Sequence, residues 1–287
     1  MNNKLFHFNP EDTKAVDSII NESLDDFVLR EGVVFKKKLQ TPYKGWIAVF
    51  YDNFVLKSLF YQSEHGSKLI EANWSECGKP VNKISKIENV LSMFFEKDGE
   101  ILKKGFFKES LKEGLWKSYR LDAQKNWIPF EERNFRDGLE FGPYHHEDEH
   151  GAKTTASYYR GHLHGEYHWT ASKNSSHELQ YLIDSILLYF LDGGRIHDTE
   201  ISYIIDLAVK HIIGNYQQGT MHGEWYFQTS NMNVVGNFVE GVPEGVWKLI
   251  KSDDEKVLLE GKMKAGRKSG TWIQIPDSIE PNFFKFT

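Results

Sequence analysis

The feature that most constrains this chain is a twelve-residue frame that occurs three times near its C-terminal end with identical internal spacing. Gly214, Tyr216, Gly219, Gly223 and Trp225 make one copy. Gly236, Phe238, Gly241, Gly245 and Trp247 make the next, and Gly261, Met263, Gly266, Gly270 and Trp272 the third. Self-similarity of this kind signals a repeat architecture in which each copy is one supersecondary unit. The frame runs back toward the N-terminus with substitutions. Gly105, Phe107, Gly114 and Trp116 fit with Ser110 as the middle residue; Phe135, Gly138, Gly142 and Tyr144 fit behind Arg133; Tyr158, Gly161, Gly165 and Tyr167 fit behind Ala156. Tyr61, Gly66 and Trp74 form a looser copy, and Phe35 with Gly45 a looser one still.

Each copy has the pattern of a β-hairpin. The apolar residue belongs to a first strand, the middle glycine to a tight turn, and the last glycine and the aromatic to the return strand. Asp137-Gly138, Arg160-Gly161, Gln218-Gly219 and Glu240-Gly241 suit two-residue hairpin turns, where glycine supplies the positive φ that such turns require. A second, polar turn follows each return strand, at Lys97-Asp98-Gly99, Glu149-His150-Gly151 and Ser252-Asp253-Asp254. The expected fold is therefore mainly β: an elongated, single-sheet antiparallel meander of hairpin repeats with a short N-terminal helix.

Composition agrees. Of 287 residues 14 % are aromatic and 23 are glycine, a pairing that suits strands joined by tight turns. The formal net charge of −6 argues against a phosphate-backbone binder, so no nucleic-acid partner is expected. Cys77 is the single cysteine, which excludes a disulfide framework and a cysteine-rich metal cluster. The N-terminal residues show neither the apolar run nor the small-residue cleavage site of a secretory signal. The most apolar stretch, 179–191, is short and interrupted by Asp184. A cytoplasmic protein is expected, with membrane contact disfavoured.

Two stretches depart from the frame. Between Pro10 and Val28, residues Ala15, Val16, Ile19, Ile20, Leu24, Phe27 and Val28 form one apolar stripe behind a capping Asn9, which predicts a helix closing the end of the array. Residues 176–213 fit either a degenerate hairpin unit or a helical insertion. Ile204-Ile205-Asp206 aligned with Phe50-Tyr51-Asp52, and the spacing of Phe190 to Gly193, favour the hairpin. The expected organisation is a capping segment over 1–32, the array over 33–275 and a tail over 276–287.

These residues resemble MORN repeats, and more closely the MORN-variant repeats of bacterial YwqK-type antitoxin proteins. The segment Thr41-Pro42-Tyr43-Lys44-Gly45-Trp46, followed by Tyr51-Asp52-Asn53 and Leu56-Lys57-Ser58, looks like their opening unit. The units ending at Trp116, Trp225, Trp247 and Trp272 look like their later ones. The chain departs from that pattern in its second turns, where Asn-Gly is replaced by Asn53-Phe54, Asp122-Ala123 and Leu207-Ala208. The resemblance implies a β-meander that binds another macromolecule: for the bacterial variants a cognate toxin, for eukaryotic MORN proteins a scaffolded protein or anionic lipid.

Chemistry-bearing clusters are few. His145, His162 and His164 on adjacent strands could converge on zinc or nickel, but they lie at or near turns, and solvated histidines are the preferred reading; no cofactor or metal is assigned. The acidic pairs Asp25-Asp26, Glu131-Glu132 and Asp253-Asp254 fall where carboxylates are simply hydrated, and no phosphate-cradling loop is present. No catalytic residues are assigned. The frame aromatics serve the sheet first, so the partner-binding candidates are the aromatics outside the frame: Trp46, Trp127, Trp169 and Tyr203. The expected function is non-catalytic protein binding, most specifically an antitoxin or immunity protein that occludes a toxin or effector domain. The alternative is a scaffold or membrane-associated MORN protein. Exposed edge strands could add self-association.

Overall fold

The computed structural model describes residues 6–21, 27–30, 33–36, 41–172, 209–230, 232–274 and 282–286. The chain forms two compact units, Met1–Leu139 and Glu140–Thr287, so the expected array is divided between them. It is mainly β, an antiparallel meander with one short N-terminal helix, in agreement with the hairpin frame. Among the described residues no helix is long and apolar enough to cross a membrane.

The first unit opens with α1 (Thr13–Asn21) and a separate hairpin of β1 (Phe27–Arg30) and β2 (Val33–Lys36). A meander follows: β3 (Gly45–Phe50), β4 (Leu56–Gln62), β5 (Lys68–Trp74), β6 (Pro80–Ser85), β7 (Ser92–Glu96), β8 (Ile101–Lys108), β9 (Leu111–Leu121) and β10 (Trp127–Arg136). The helix is shorter than its apolar stripe predicts. Asp12, not Asn9, caps it, accepting the Ala15 N–H at 3.1 Å, while the Asn9 side chain takes the Glu11 N–H and turns the chain one step earlier. Phe27 and Val28 lie in β1, opposite Lys36 and Phe35. Their aromatic and β-branched side chains favour a strand once a partner strand follows directly. β2 pairs with β1, and Phe35 also bridges Pro42 while the Tyr43 N–H is donated to Val34 O at 2.8 Å, so the segment leading into Gly45 runs back along β2.

The β3–β5 sheet is covered on both faces, which a repeat frame does not specify. Trp46, Leu59, Tyr61, Ile70 and Ala72 face Phe8, Val16 and Ile19 of the N-terminal segment. Ile47 and Phe60, one residue along and so on the other face, meet Val34 of β2. Two buried polar side chains fasten these covers. The Gln62 amide donates to the carbonyls of Val34 (2.8 Å) and Tyr43 (2.7 Å) and accepts the Val34 N–H (3.0 Å). The Lys83 ammonium, 1 % exposed, donates to the carbonyls of Phe6 (2.8 Å) and Phe8 (2.9 Å) above the Phe8 ring. Burial pushes its pKa down to about 8.

The second unit carries β11 (Leu139–Glu147), β12 (Lys153–Tyr159), β13 (His162–Leu163), β14 (Gly165–Thr170), β15 (His211–Gln217), β16 (Thr220–Gln228), β17 (Met232–Val239), β18 (Val242–Lys251), β19 (Val257–Lys264), β20 (Arg267–Gln274) and β21 (Asn282–Phe286). Here each position of the frame acquires a physical reason. The first glycine sits at a bulge, where pairing with its own return strand skips a residue: Gly214, Gly236 and Gly261 are all passed over in this way. Their φ is ordinary; what matters is space, since a Cβ on Gly214, Gly236 or Gly261 would fall inside the indole of Trp225, Trp247 or Trp272 respectively. The bulge also frees the next carbonyl: Trp225 Nε1 donates to Asn215 O and Trp272 Nε1 to Lys262 O, at 3.1 and 3.2 Å. Gly105 and Trp116 repeat the arrangement in the first unit, with Phe106 O as acceptor at 3.1 Å. Where the first position carries a Cβ, as at Arg133 and Ala156, the aromatic is Tyr144 or Tyr167 instead of tryptophan.

The middle glycines need positive φ. Asp137-Gly138, Arg160-Gly161, Gln218-Gly219, Glu240-Gly241 and Ala265-Gly266 all have it at both residues, the requirement of a two-residue I′ hairpin. These turns also couple the hairpins, because each glycine N–H is donated to the hairpin before it: Gly219 to Leu163 O, Gly241 to Met221 O, Gly266 to Pro243 O. The last glycine of each copy lies opposite the apolar residue of the next, as in Gly165 with Tyr216, Gly223 with Phe238 and Gly245 with Met263. The same register continues past the expected end. Gly270 pairs with Phe286 and Trp272 with Phe284, so β21 stands where the first strand of a further copy would stand.

The stretch 173–208 lies outside the described residues, and with it the choice between hairpin and helix. The strands on either side of it pair directly, Tyr167 opposite Gly214 and Trp169 opposite Ile212. That is the register of successive copies.

Candidate partner-binding surface

In the second unit one face of the sheet is occupied by the frame. Trp169, Ile212, Phe227, Val234, Leu249 and Leu259 succeed one another across β14 to β19, each directly opposite the next. They pack with Trp225, Trp247 and Trp272, each 1 % exposed, into one apolar cluster. Rings run along it: Tyr216 and Phe238 meet Trp225 edge-on at centroid distances of 5.1 and 6.1 Å, and Phe238 meets Trp247 at 5.2 Å. This face is fully used by folding.

The opposite face carries a second row. His145, Thr155, His168, Ile213, Tyr226, Val235, Lys248, Glu260 and Ile273 lie each directly opposite the next, from β11 to β20. Directly opposed residues share a face, so this is a continuous line of side chains. Its middle is apolar and aromatic, with Ile213 42 % exposed and Tyr226 and Val235 half-buried. Val246, 43 % exposed, lies two residues from Lys248 on the same face. At one end His168 stands 3.8 Å from Glu166, and at the other Lys248 pairs with Glu260 at 3.3 Å. In the next row toward the second turns, the Thr170 hydroxyl and His211 Nδ1 are 3.2 Å apart.

The row has a simple position in the sequence. His145, His168, Tyr226, Lys248 and Ile273 each follow a frame aromatic; Thr155, Ile213, Val235 and Glu260 each precede a first-position residue. Strand alternation, applied to the frame, finds all of them. The corresponding row in the first unit, Met93, Lys104, Lys117 and Glu132, is mostly charged, and its charges are engaged nearby. Lys117 is ion-paired to Glu132, and Lys104 lies over the Tyr119 ring at 4.3 Å.

Of the aromatics outside the frame, two cannot anchor a partner as they stand. Trp46, 5 % exposed, is packed under the N-terminal segment against Phe6, Phe8 and Tyr61. Trp169, 3 % exposed, shares the buried face with Tyr167 because the two are separated by one residue on a strand. Trp127 is half-buried, its indole N–H donated to Glu11 at 3.3 Å, so it helps to hold the N-terminal segment. Tyr203 lies outside the described residues. His145, His162 and His164 are each exposed, and among the described residues no three His, Cys, Asp or Glu side chains come together in a way that could hold a metal ion. His145 faces Thr155, and His162 instead lies near Gly219 of the next hairpin. Cys77 is exposed in the Ser75–Lys79 turn, where the Ser75 hydroxyl at 3.1 Å holds its thiol below the usual pKa.

No protein-family model matches the sequence, and none of the curated proteins compared with it is significantly similar.

Proposed function

We propose that this chain is a non-catalytic protein-binding repeat protein that uses the outward row of its second unit to hold a partner. The observation that carries the reading is the division of labour between the faces. Every residue of the repeated frame serves turn, bulge or core, while the outward row between them is variable in chemistry and partly apolar. Folding needs no isoleucine, tyrosine and valine in line on a solvated face. Aromatic and aliphatic residues framed by charges are what a protein interface uses at its centre. A stable complex needs roughly 1,200–2,000 Å² buried in total, and a row crossing β11 to β20 gives a broad platform for it.

Within that reading the partner is a toxin or effector domain, occluded sterically in the manner of an immunity protein. This narrower assignment rests on the resemblance of the opening and tryptophan-bearing units to YwqK-type MORN-variant proteins. The test is coexpression with the product of an adjacent gene, chosen because its expression alone is toxic. Co-purification and relief of toxicity are expected; separate elution with toxicity unrelieved overturns the assignment.

A further inference from the structure

Five turns of the meander share one geometry, and one of them places a large aromatic where glycine is favoured. In the turns that start at Tyr51, Ser63, Ser75, Asp122 and Asp148, the first residue's N–H is donated to the carbonyl four residues on. The fourth residue's N–H is donated back to the carbonyl of the first. In all five that fourth residue has positive φ: Phe54 at 63°, Gly66 at 81°, Gly78 at 81°, Lys125 at 63° and Gly151 at 86°. Glycine fits this conformation without cost, whereas a large aromatic is disfavoured there. Phe54 is also 89 % exposed, more than any other large apolar residue described. It gains no packing within the described chain to offset either penalty.

The tip is rigidly held. The Tyr51 hydroxyl donates to Trp74 O at 2.8 Å, the Asn53 amide donates to Glu76 O at 3.3 Å, and the Asn53 carbonyl oxygen accepts the Val55 N–H at 3.1 Å. The turn is thus tied to its neighbour at Ser75–Lys79, where Val55 lies against Gly78. Phe50, at the end of β3, adds a second exposed ring beside the turn. Asp52 and Glu76, both exposed, carry no ion pair among the described residues, whereas the nearby lysines are engaged, Lys57 over the Tyr51 ring at 5.4 Å and Lys79 donating to Asp98 O at 3.2 Å, so the apolar tip has free carboxylates beside it. A strained, solvated and pre-positioned aromatic is the form of a recognition anchor, because little freedom is lost when it is buried.

We infer that Phe54 is a binding anchor that enters an apolar pocket rimmed by basic residues on a protein partner. This rests on the protein-binding reading above and adds the chemistry of a second contact, in the first unit. The assignment to a protein rather than a lipid surface follows from the flanking carboxylates, which an anionic membrane would repel.

The experiment titrates the purified full chain, as wild type and variants, against the adjacent-gene product selected for toxicity in that coexpression test. Phe54→Gly is expected to weaken binding at least tenfold while the melting temperature stays the same or rises, since the strain is relieved. Asp52→Asn with Glu76→Gln is expected to weaken binding less and to flatten its salt dependence. Wild-type affinity in Phe54→Gly, with loss in Tyr226→Ala, overturns the anchor and leaves the protein-binding reading standing. Failure of the wild-type chain to bind overturns both. Sedimentation with phosphatidylserine vesicles that depends on Phe54 overturns the choice of a protein partner.

Discussion

Trp247 lies over Gly236 so closely that no side chain fits beneath it: a Cβ at Gly236 would fall inside the indole. The two residues are the first and last of one repeat copy, and their contact explains why tryptophan and first-position glycine occur together. Gly236→Ala should therefore destabilise by overpacking, about 1–3 kcal/mol, although its φ suits alanine. Trp247→Phe in the same chain should recover part of that loss. A double-mutant cycle by urea unfolding measures the coupling; additive effects would refute the contact as the reason for the glycine.

Gln62 makes three hydrogen bonds that fasten β2 across the sheet. Gln62→Leu keeps the volume but removes the side-chain partner of the Val34 N–H and the Tyr43 carbonyl, each costing about 1–3 kcal/mol, while the Val34 carbonyl keeps the Tyr43 N–H at 2.8 Å. Hydrogen exchange at the Val34 amide should accelerate far more than exchange in β16–β18. Unchanged protection at Val34 would rule out the clamp.

Lys83 makes stability depend on pH. Its pKa falls from 10.5 to about 8 on folding because burial disfavours the ammonium. Between those values the unfolded chain holds a proton that the folded chain has lost, so stability rises as pH increases through this window. Below about pH 8 both states are protonated and the full burial cost is felt. In urea unfolding at pH 7.5 and 9.5, the wild type should gain stability relative to Lys83→Met, by an amount on the order of a kcal/mol or more. An equal pH response in both proteins would show that Lys83 does not titrate as described.

The hairpins and their turns were legible in the sequence because glycine spacing encodes φ and strand alternation encodes faces. Glycine's second role was not, since Gly236 and Gly241 look alike until the indole is placed. Trp46 and Trp169 read as surface anchors because they lie outside the frame. Yet Trp169 is two residues from Tyr167, and alternation alone puts it in the core. The outward row was hidden for the converse reason: it has no consensus, and only its place beside the frame residues marks it. Asn9 is a capping residue by type, but α1 begins a turn later, where Asp12 takes the Ala15 N–H. The covers on β3–β5 depend on long-range bonds from Gln62 and Lys83, which no local pattern announces.

The central claim is that the frame folds the chain and the outward row binds. The direct test is calorimetric titration of Ile213→Ser/Tyr226→Ser/Val235→Thr against the same adjacent-gene product, with thermal melts of the same protein. The account predicts a Kd raised at least a hundredfold, about 2.7 kcal/mol, with a melting temperature close to that of the wild type. A wild-type Kd in this variant would contradict it.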